Sequence, residues 1–474
     1  MVFIEKEKWN WHNIIKVCER SHNWKLDKDF KKVFWSALTN WPAPEGYQKE
    51  KEKIRTIIKR YRPKEEEWWY PEVSEYFYPR YLSSKGGVFF TPRSYCELLS
   101  ELALLYIKPE WEKEGLKIYD PACGTGALLY TFHQYKPDCE VYGQEIEHKN
   151  VLVSRWFLTH RGLDIEQQQK LVKGRPGVER IKREGRGIIK SGNTLLDDKF
   201  LKKFHIVLCN PPFNQHLEQE VHKTKDGNSA WVRQCLKHLK EKGREGITLI
   251  ILPTSILVIE NFYEERKRLI KYNLLEAIFY DFANKGEDTG HKFDNAQLDT
   301  CVLLLRKRKQ EEQDIFFINC AGKTKNEIIN EYEAERERER QENRISREQL
   351  RKWNFNFVKF VFTKLDEEGG IEIGKHFKTK NSRNVKKTIK QLTIKLATKL
   401  FEANRDPIAS LEEKVTPIKQ TEYVYLLHKE KNEEQTRKLY NFLISSEKKQ
   451  RKFYYGAVIK HLLVKDFLQW KINI

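Results

Sequence analysis

The sequence predicts an α/β fold built on a mostly parallel sheet with helices on both faces. Three observations predict it. Strand and helix patterns alternate from Lys117 to about Arg308, which is the signature of such a sheet. The first strand breaks into a glycine turn, Asp120-Pro121-Ala122-Cys123-Gly124-Thr125-Gly126, that opens a helix from about Ala127. The fourth ends an apolar run over 204–209 in Asn210-Pro211-Pro212-Phe213. Ligands bind at the carboxyl ends of strands in open α/β sheets, so both turns are expected to face one crevice.

The expected strands are 117–119, 140–143, 187–189, 206–209, 247–252, 275–280 and 300–305, with helical patterns between most of them. Before them, residues 1–85 form a distinct region of short amphipathic helices, one around 51–61, broken by prolines at 42, 44, 63 and 71. It holds seven of the twelve tryptophans, at 9, 11, 24, 35, 41, 68 and 69. They read either as the core of a helical subdomain or as contacts to DNA or a partner. Gly86-Gly87-Val88-Phe89-Phe90-Thr91-Pro92-Arg93 then makes a strained turn opening a helix over 94–106.

Three polar or charged loops interrupt the sheet pattern, at 173–186, 215–228 and 283–295. The stretch 323–352 is strongly charged and reads as a solvated helical linker. Beyond it, 353–474 is basic, with Lys and Arg interleaved with Tyr and Phe, as in Lys448 to Tyr455. That region is expected to recognise DNA or to dock a partner. The sheet domain itself is expected over 86–322.

A chain of 474 residues accommodates two or three domains. Its net charge of +20 favours a polyanionic partner, the alternative being a basic surface that only aids solubility. The eight cysteines show no Cys-x-x-Cys spacing, so neither a zinc site nor a redox dithiol is indicated. A reducing cytoplasm fits. The N-terminal stretch has no apolar signal core, and no apolar run is long enough for a bilayer.

Small residues in the glycine turn let backbone approach a ligand, and the helix start favours an anionic group. An acidic residue about 20 positions further on typically takes ribose hydroxyls, and Glu145 is so placed, followed by Ile146. The turn lacks the third glycine of Gly-x-Gly-x-x-Gly. Alone it indicates only a nucleotide-like ligand.

Asn-Pro-Pro-Phe is more specific. Two prolines stiffen the backbone and remove two donors, leaving carbonyls to accept. The Asn210 side-chain oxygen and the Pro211 carbonyl could take both N–H bonds of an exocyclic amino group. Its lone pair would then face a methyl donor, and Phe213 could stack on the base. The plainer alternative is a rigid loop with a core phenylalanine.

In combination the order Phe-Phe-Thr-Pro, Asp-Pro-Ala-Cys-Gly-Thr-Gly, Gly-Gln-Glu-Ile and Asn-Pro-Pro-Phe resembles the N6-adenine DNA methyltransferases, most nearly the modification subunit of type I restriction-modification systems. The similarity covers about residues 80–320 and includes Asn228-Ser-Ala-Trp, Leu252-Pro253 and the strand from Asp299. The resemblance implies a Rossmann-like, S-adenosylmethionine-dependent methyltransferase fold with seven strands, the last antiparallel. It implies that Phe90, Thr91 and Pro92 line the methionine end of the cofactor, with Asp120, Ala122, Gly124, Thr125 and Gly126 close by. Glu145 and Ile146 would hold the ribose side, and Asn193 and Thr194 would sit near the adenine. Family members often carry Asp at the position of Asn193.

The implied partners are double-stranded DNA and a specificity subunit or a second copy of the chain, in a prokaryotic cytoplasm. No metal is implied. Two rivals stay open: methylation of another amino group, in RNA or protein, and a subunit inactive without its partner. The loop 215–228, with Lys223 and Lys225, is expected either to close over a flipped base or to be an ordinary mobile loop.

Overall fold

A computed structural model describes residues 45–61, 90–160, 163–165, 185–200, 203–213, 215–240, 246–280, 300–307, 314–337 and 343–357. It also describes isolated residues before 45 and single elements beyond 357. The seven N-terminal tryptophans, Phe89, most of the basic loop before 185 and the polar loop at 283–295 lie outside these residues. The chain divides into two compact units, Met1–Ile250 and Ile251–Ile474.

In the first unit, helix α1 (Gln48–Tyr61) precedes the sheet region in sequence. Helix α2 (Arg93–Leu104) follows Pro92 and buries Tyr95, Leu98, Leu99, Leu102 and Ala103. That spacing is one helical face, and it packs against α3 (Ala127–Tyr135). The strands are β1 (Lys117–Asp120), β2 (Glu140–Glu145), β3 (Leu163–Ile165), β4 (Gly185–Ser191) and β5 (Ile206–Cys209). A fourth helix, α4 (His148–His160), packs on β2, β3 and β4.

These five strands pair in parallel: β3 with β4, β4 with β2, β2 with β1, and β1 with β5. Strand β8 (Ile247–Pro253) pairs with β5 from Ile206↔Ile247 to Cys209↔Ile250 and runs on through the division. All seven of its residues are buried, which is why the sequence there is a continuous apolar run. At about 1.5–3 kcal/mol per large apolar side chain, such a strand anchors the sheet.

Between β5 and β8 the stretch expected as a loop is instead a β-hairpin. Its strands are β6 (His216–Val221) and β7 (Thr224–Asp226), paired antiparallel, and α5 (Gly227–Lys237) follows directly. Asp226 caps that helix, its carboxylate accepting from Ser229 N–H at 2.8 Å.

The second unit holds β9 (Leu275–Tyr280), β10 (Thr300–Arg306), β11 (Ile315–Asn319) and β12 (Arg344–Ile345), with α6 (Tyr263–Lys271) before them. Strand β10 is antiparallel to β9, β11 is parallel to β9, and β12 is antiparallel to β11. The full strand order of the sheet is β12-β11-β9-β10-β8-β5-β1-β2-β4-β3. Ten strands therefore stand where seven are expected. Strands β3, β11 and β12 are the additions, lying at the two edges of the order.

The charged stretch at 323–352 is not the solvated linker that its composition suggests. Helix α7 (Lys325–Arg336) opens on a capping box between Thr324 and Glu327 and buries Ile328, Ile329, Tyr332 and Glu335. Tyr332 meets the rings of Phe279 and Phe316 at 5.2 and 5.4 Å. The chain then returns as β12. The apolar residues fall every three or four positions, and the charges between them hide that face.

Beyond 357 the described elements are mostly antiparallel strands. Four of them, over Phe377–Asn381, Thr393–Ala397, Ala409–Glu412 and Tyr423–His428, form one sheet, with the helix Glu433–Ser445 packed on it. Among the described residues, no helix is long and apolar enough to cross a membrane.

Candidate functional site

The glycine turn is held in shape from inside. Gly124 and Gly126 have φ of +52° and +85°, which favour glycine. A Cβ on Gly126 would lie 2.9 Å from Ser154 Cβ on α4, whereas one on Gly124 would meet nothing within 4 Å. Gly126 is therefore needed for packing, and Gly124 leaves open space beside the strand end. Gly126 N–H donates to Cys123 O at 2.7 Å, and Cys123 N–H to Gln144 O at 3.0 Å.

Two carboxylates frame this turn. Asp120 Oδ1 accepts from Ala122 N–H at 3.0 Å. Glu145, at the end of β2, accepts from Gly124 N–H at 2.9 Å and from Glu147 N–H at 2.8 Å. Burial pushes Asp120 up to about 8, the bond from Ala122 opposing it and the charge of Glu145 adding to it. Burial also raises Glu145, against the bonds from Glu147 and Gly124. Among the described residues neither carboxylate is in an ion pair. Two buried acidic groups beside open space suit a cation.

Asn193 and Thr194 follow β4, the neighbour of β2 in the sheet. Asn193 Oδ1 accepts from Leu195 N–H at 3.1 Å. The Thr194 hydroxyl donates to the Pro121 carbonyl, so it braces the glycine turn. Thr125 is buried as well. Sequence reasoning missed Leu196. It is 57 % exposed, and Ile146 is 61 % exposed. These are two large apolar side chains left in solvent beyond adjacent strand ends, where Glu145 is in register with Ser191. No local motif marks Leu196; only the strand order brings it near Ile146 in the chain of elements.

The second turn meets the element before the first. Asn210 Nδ2 donates to Thr91 Oγ1 at 2.9 Å, across 119 positions of sequence. That bond engages the donor end of the amide with Thr91 and turns its oxygen, the acceptor end, away from that hydroxyl. Pro92 starts α2, so the helix that packs on α3 also carries Thr91 to Asn210. Phe90 and Pro92 are half-buried and Pro211 is buried. Phe213 is 5 % exposed, so its ring packs in the core and stacking on a base requires it to be uncovered. Strands β1 and β5 are paired neighbours, so both turns leave the same edge of the sheet.

A family model described as N-6 DNA methylase matches residues 71–367. A type I restriction enzyme MpnII methylase subunit from Mycoplasma pneumoniae is 24% identical over 305 residues, covering 58% of this chain and 48% of its own length. A type I restriction enzyme MjaVIII methylase subunit from Methanocaldococcus jannaschii is 24% identical over 365 residues, covering 66% and 55%. The chain thus spans about half the length of these two relatives. Among solved structures, the type IIG restriction endonuclease BpuSI aligns over 98% of this chain and 69% of its own, with a TM-score of 0.53 and 12% identity. That likeness is one of fold.

Proposed function

The chain belongs to the N-6 DNA methylase family, and from that premise we propose that its crevice methylates the exocyclic amino group of an adenine in DNA. The observation that carries the reading is the Thr91–Asn210 bond, which orients an amide at the second turn beside a cofactor-type glycine turn.

S-adenosylmethionine, when bound, supplies a methyl group already activated on a sulfonium. The chain fits it. Asp120 and Glu145 offer buried carboxyl groups whose ionised form a cationic ligand would favour, and Gly124 leaves room for it. Glu145 would hold ribose hydroxyls, with Ile146 and Leu196 as apolar walls for the adenine end and Asn193 and Thr194 shaping its floor. Phe90, Thr91 and Pro92 would border the methionine end, with Asp120, Ala122, Gly124, Thr125 and Gly126.

Asn210 and Pro211 act on the acceptor. Their oxygens would accept the two amino hydrogens and leave the nitrogen lone pair free to attack. Orientation and hydrogen bonds are then what the protein supplies. The base has to leave the duplex to reach the turn, and Pro212 and Phe213 would shape the pocket that takes it. The net charge of +20 supports duplex DNA as the macromolecular substrate.

Substitution tests this. Asn210→Ala is expected to abolish methyl transfer while S-adenosylmethionine still raises the melting temperature. Turnover retained in that variant overturns the reading. We also propose that target recognition involves the region beyond 357 or a separate specificity subunit. Methylation by this chain alone would favour the former, and methylation only with a partner the latter.

A further inference from the structure

The hairpin after Asn-Pro-Pro-Phe is fastened to α5 at both ends. At its base, Gly227 N–H donates to Gln215 O at 2.9 Å, and Trp231 Nε1 donates to Gln215 Oε1 at 3.4 Å. A Cβ on Gly227 would lie 2.6 Å from that Gln215 oxygen, so the base closes only on glycine. At its tip, Arg233 Nη1 donates to His222 O at 2.6 Å, and His222 Nε2 donates to Gln234 Oε1 at 2.6 Å. His222 and Lys223 have φ of +52° and +64°, a conformation that costs non-glycine residues energy and needs such bonds to hold it.

Gln234 is 1 % exposed and bonded on both sides. Its Nε2 donates to Asp198 Oδ2 at 3.1 Å. The same oxygen lies 2.9 Å from His238 Nε2 and accepts from Lys237 Nζ at 2.7 Å. Burial pushes Asp198 up, but the bonds from His238, Lys237 and Gln234 outweigh it and hold the carboxyl below its ordinary range.

Asp198 sits in a segment gripped by Gln144. Gln144 Nε2 donates to Asp197 O at 2.7 Å, and Lys199 N–H donates to Gln144 Oε1 at 3.0 Å. Gln144 is fully buried and immediately precedes Glu145, whose carboxylate holds Gly124. A path of side-chain bonds, joined by backbone at 144–145 and 197–199, thus runs from the glycine turn, through Gln144 and Asp198, to Gln234 and the hairpin tip.

We propose that Gln234 is a positioning residue that couples occupancy of the glycine-turn crevice to the placement of the hairpin beside Asn210. The inference rests on the reading of that crevice as the S-adenosylmethionine site. A glutamine amide donates and accepts at once, so one side chain joins Asp198 to His222. Ligand pressing on Glu145 or on residues 193–196 bears directly on the segment that Gln234 holds. Coupling of this kind is reciprocal, so a base seated under the hairpin would tighten the cofactor in turn.

Hydrogen exchange on the full chain, with and without S-adenosylmethionine, tests it without DNA. In the parent, cofactor slows exchange over 216–226 by about fivefold or more, a modest coupling between sites. In Gln234→Leu and in His222→Asn that slowing falls below about twofold, while peptides over 121–127 stay protected in all three. His222→Asn tolerates the left-handed turn and removes only the tip bond, so it keeps the test open even if the buried substitution fails to fold. Hairpin protection that is equal in the variants overturns the proposal. So does a hairpin that ignores cofactor in the parent while 121–127 is protected. An unprotected 121–127 in the parent overturns the cofactor reading itself, and the coupling with it.

Discussion

Thr91→Val isolates the bond that joins the two halves of the site. Valine keeps the shape of threonine and removes the oxygen that accepts from Asn210 Nδ2 at 2.9 Å. Thr91 is 9 % exposed, so little water is available to replace that oxygen. A buried donor left without its partner costs about 1–3 kcal/mol. The Asn210 amide recovers part of that by turning, which takes its oxygen away from the acceptor amino group. At tenfold in rate for each 1.4 kcal/mol, the methyl-transfer rate constant falls by about one to two orders of magnitude. Single-turnover methylation of an adenine-containing duplex at saturating S-adenosylmethionine measures it, with cofactor affinity by calorimetry alongside. Cofactor affinity is expected to stay within about threefold, because the lost bond holds the acceptor side. Thr91→Ser keeps the oxygen and most of the rate. A parent-like rate constant in Thr91→Val refutes the reasoning. A loss confined to cofactor binding would show that the Thr91 hydroxyl serves the methionine end it borders and not Asn210.

Gly126→Ala brings a Cβ to 2.9 Å from Ser154 Cβ at a φ of +85°, so strain and overpacking add. It should lower stability by about 1–3 kcal/mol in denaturant titration and weaken S-adenosylmethionine binding. The pH dependence follows from Asp120, whose carboxyl is pushed up to about 8 from 3.8. Between those values the folded state binds the extra proton, so the stability of the ligand-free protein falls as pH rises. Binding of a cation favours the ionised carboxylate, so cofactor affinity rises with pH through about 8, with proton release visible in calorimetry across buffers of different ionisation enthalpy. Asp120→Asn should flatten both trends. DNA affinity is expected to fall steeply with salt, with a log–log slope of several units in anisotropy titrations.

The fold was readable wherever burial wrote itself into composition. Strands β1, β2, β4, β5, β8, β9 and β10 appear at or within two residues of their expected bounds, because a central strand covered on both faces carries an apolar core. Three strands escaped. Strand β3 is three residues long and β12 only two, too short for any periodicity. Strand β11 does read Ile-Phe-Phe-Ile, but it follows a charged stretch that interrupts the strand–helix alternation ending at about Arg308. The hairpin was hidden by its turn. His222-Lys223 adopts positive φ without the Asn-Gly or Asp-Gly pair that announces such a turn. Helix α7 reads as solvent-exposed because Glu and Arg crowd the positions on either side of Tyr332, from Glu331 to Glu337.

The site divides the same way. Both turns were legible, since glycine at positive φ and paired prolines are chemically distinctive residues. What joins them was not. The Thr91–Asn210 bond spans 119 positions, and nothing local in either residue indicates the other. Leu196 carries no motif, and Gln144 lies in Gly-Gln-Glu-Ile without its bonds being legible there. Leu196 is an apolar side chain left in solvent, and Gln144 a buried glutamine that grips residues 197–199.

On the proposed reading, Asn210 presents an adenine amino group for methylation. Base-modification sequencing of DNA from cells expressing the full chain, parent against Asn210→Ala, tests it most directly, with a specificity subunit supplied in parallel. N6-methyladenine within one sequence motif in the parent and none in the variant is the predicted result. N6-methyladenine persisting in Asn210→Ala, or methyl groups placed on another base, would contradict it.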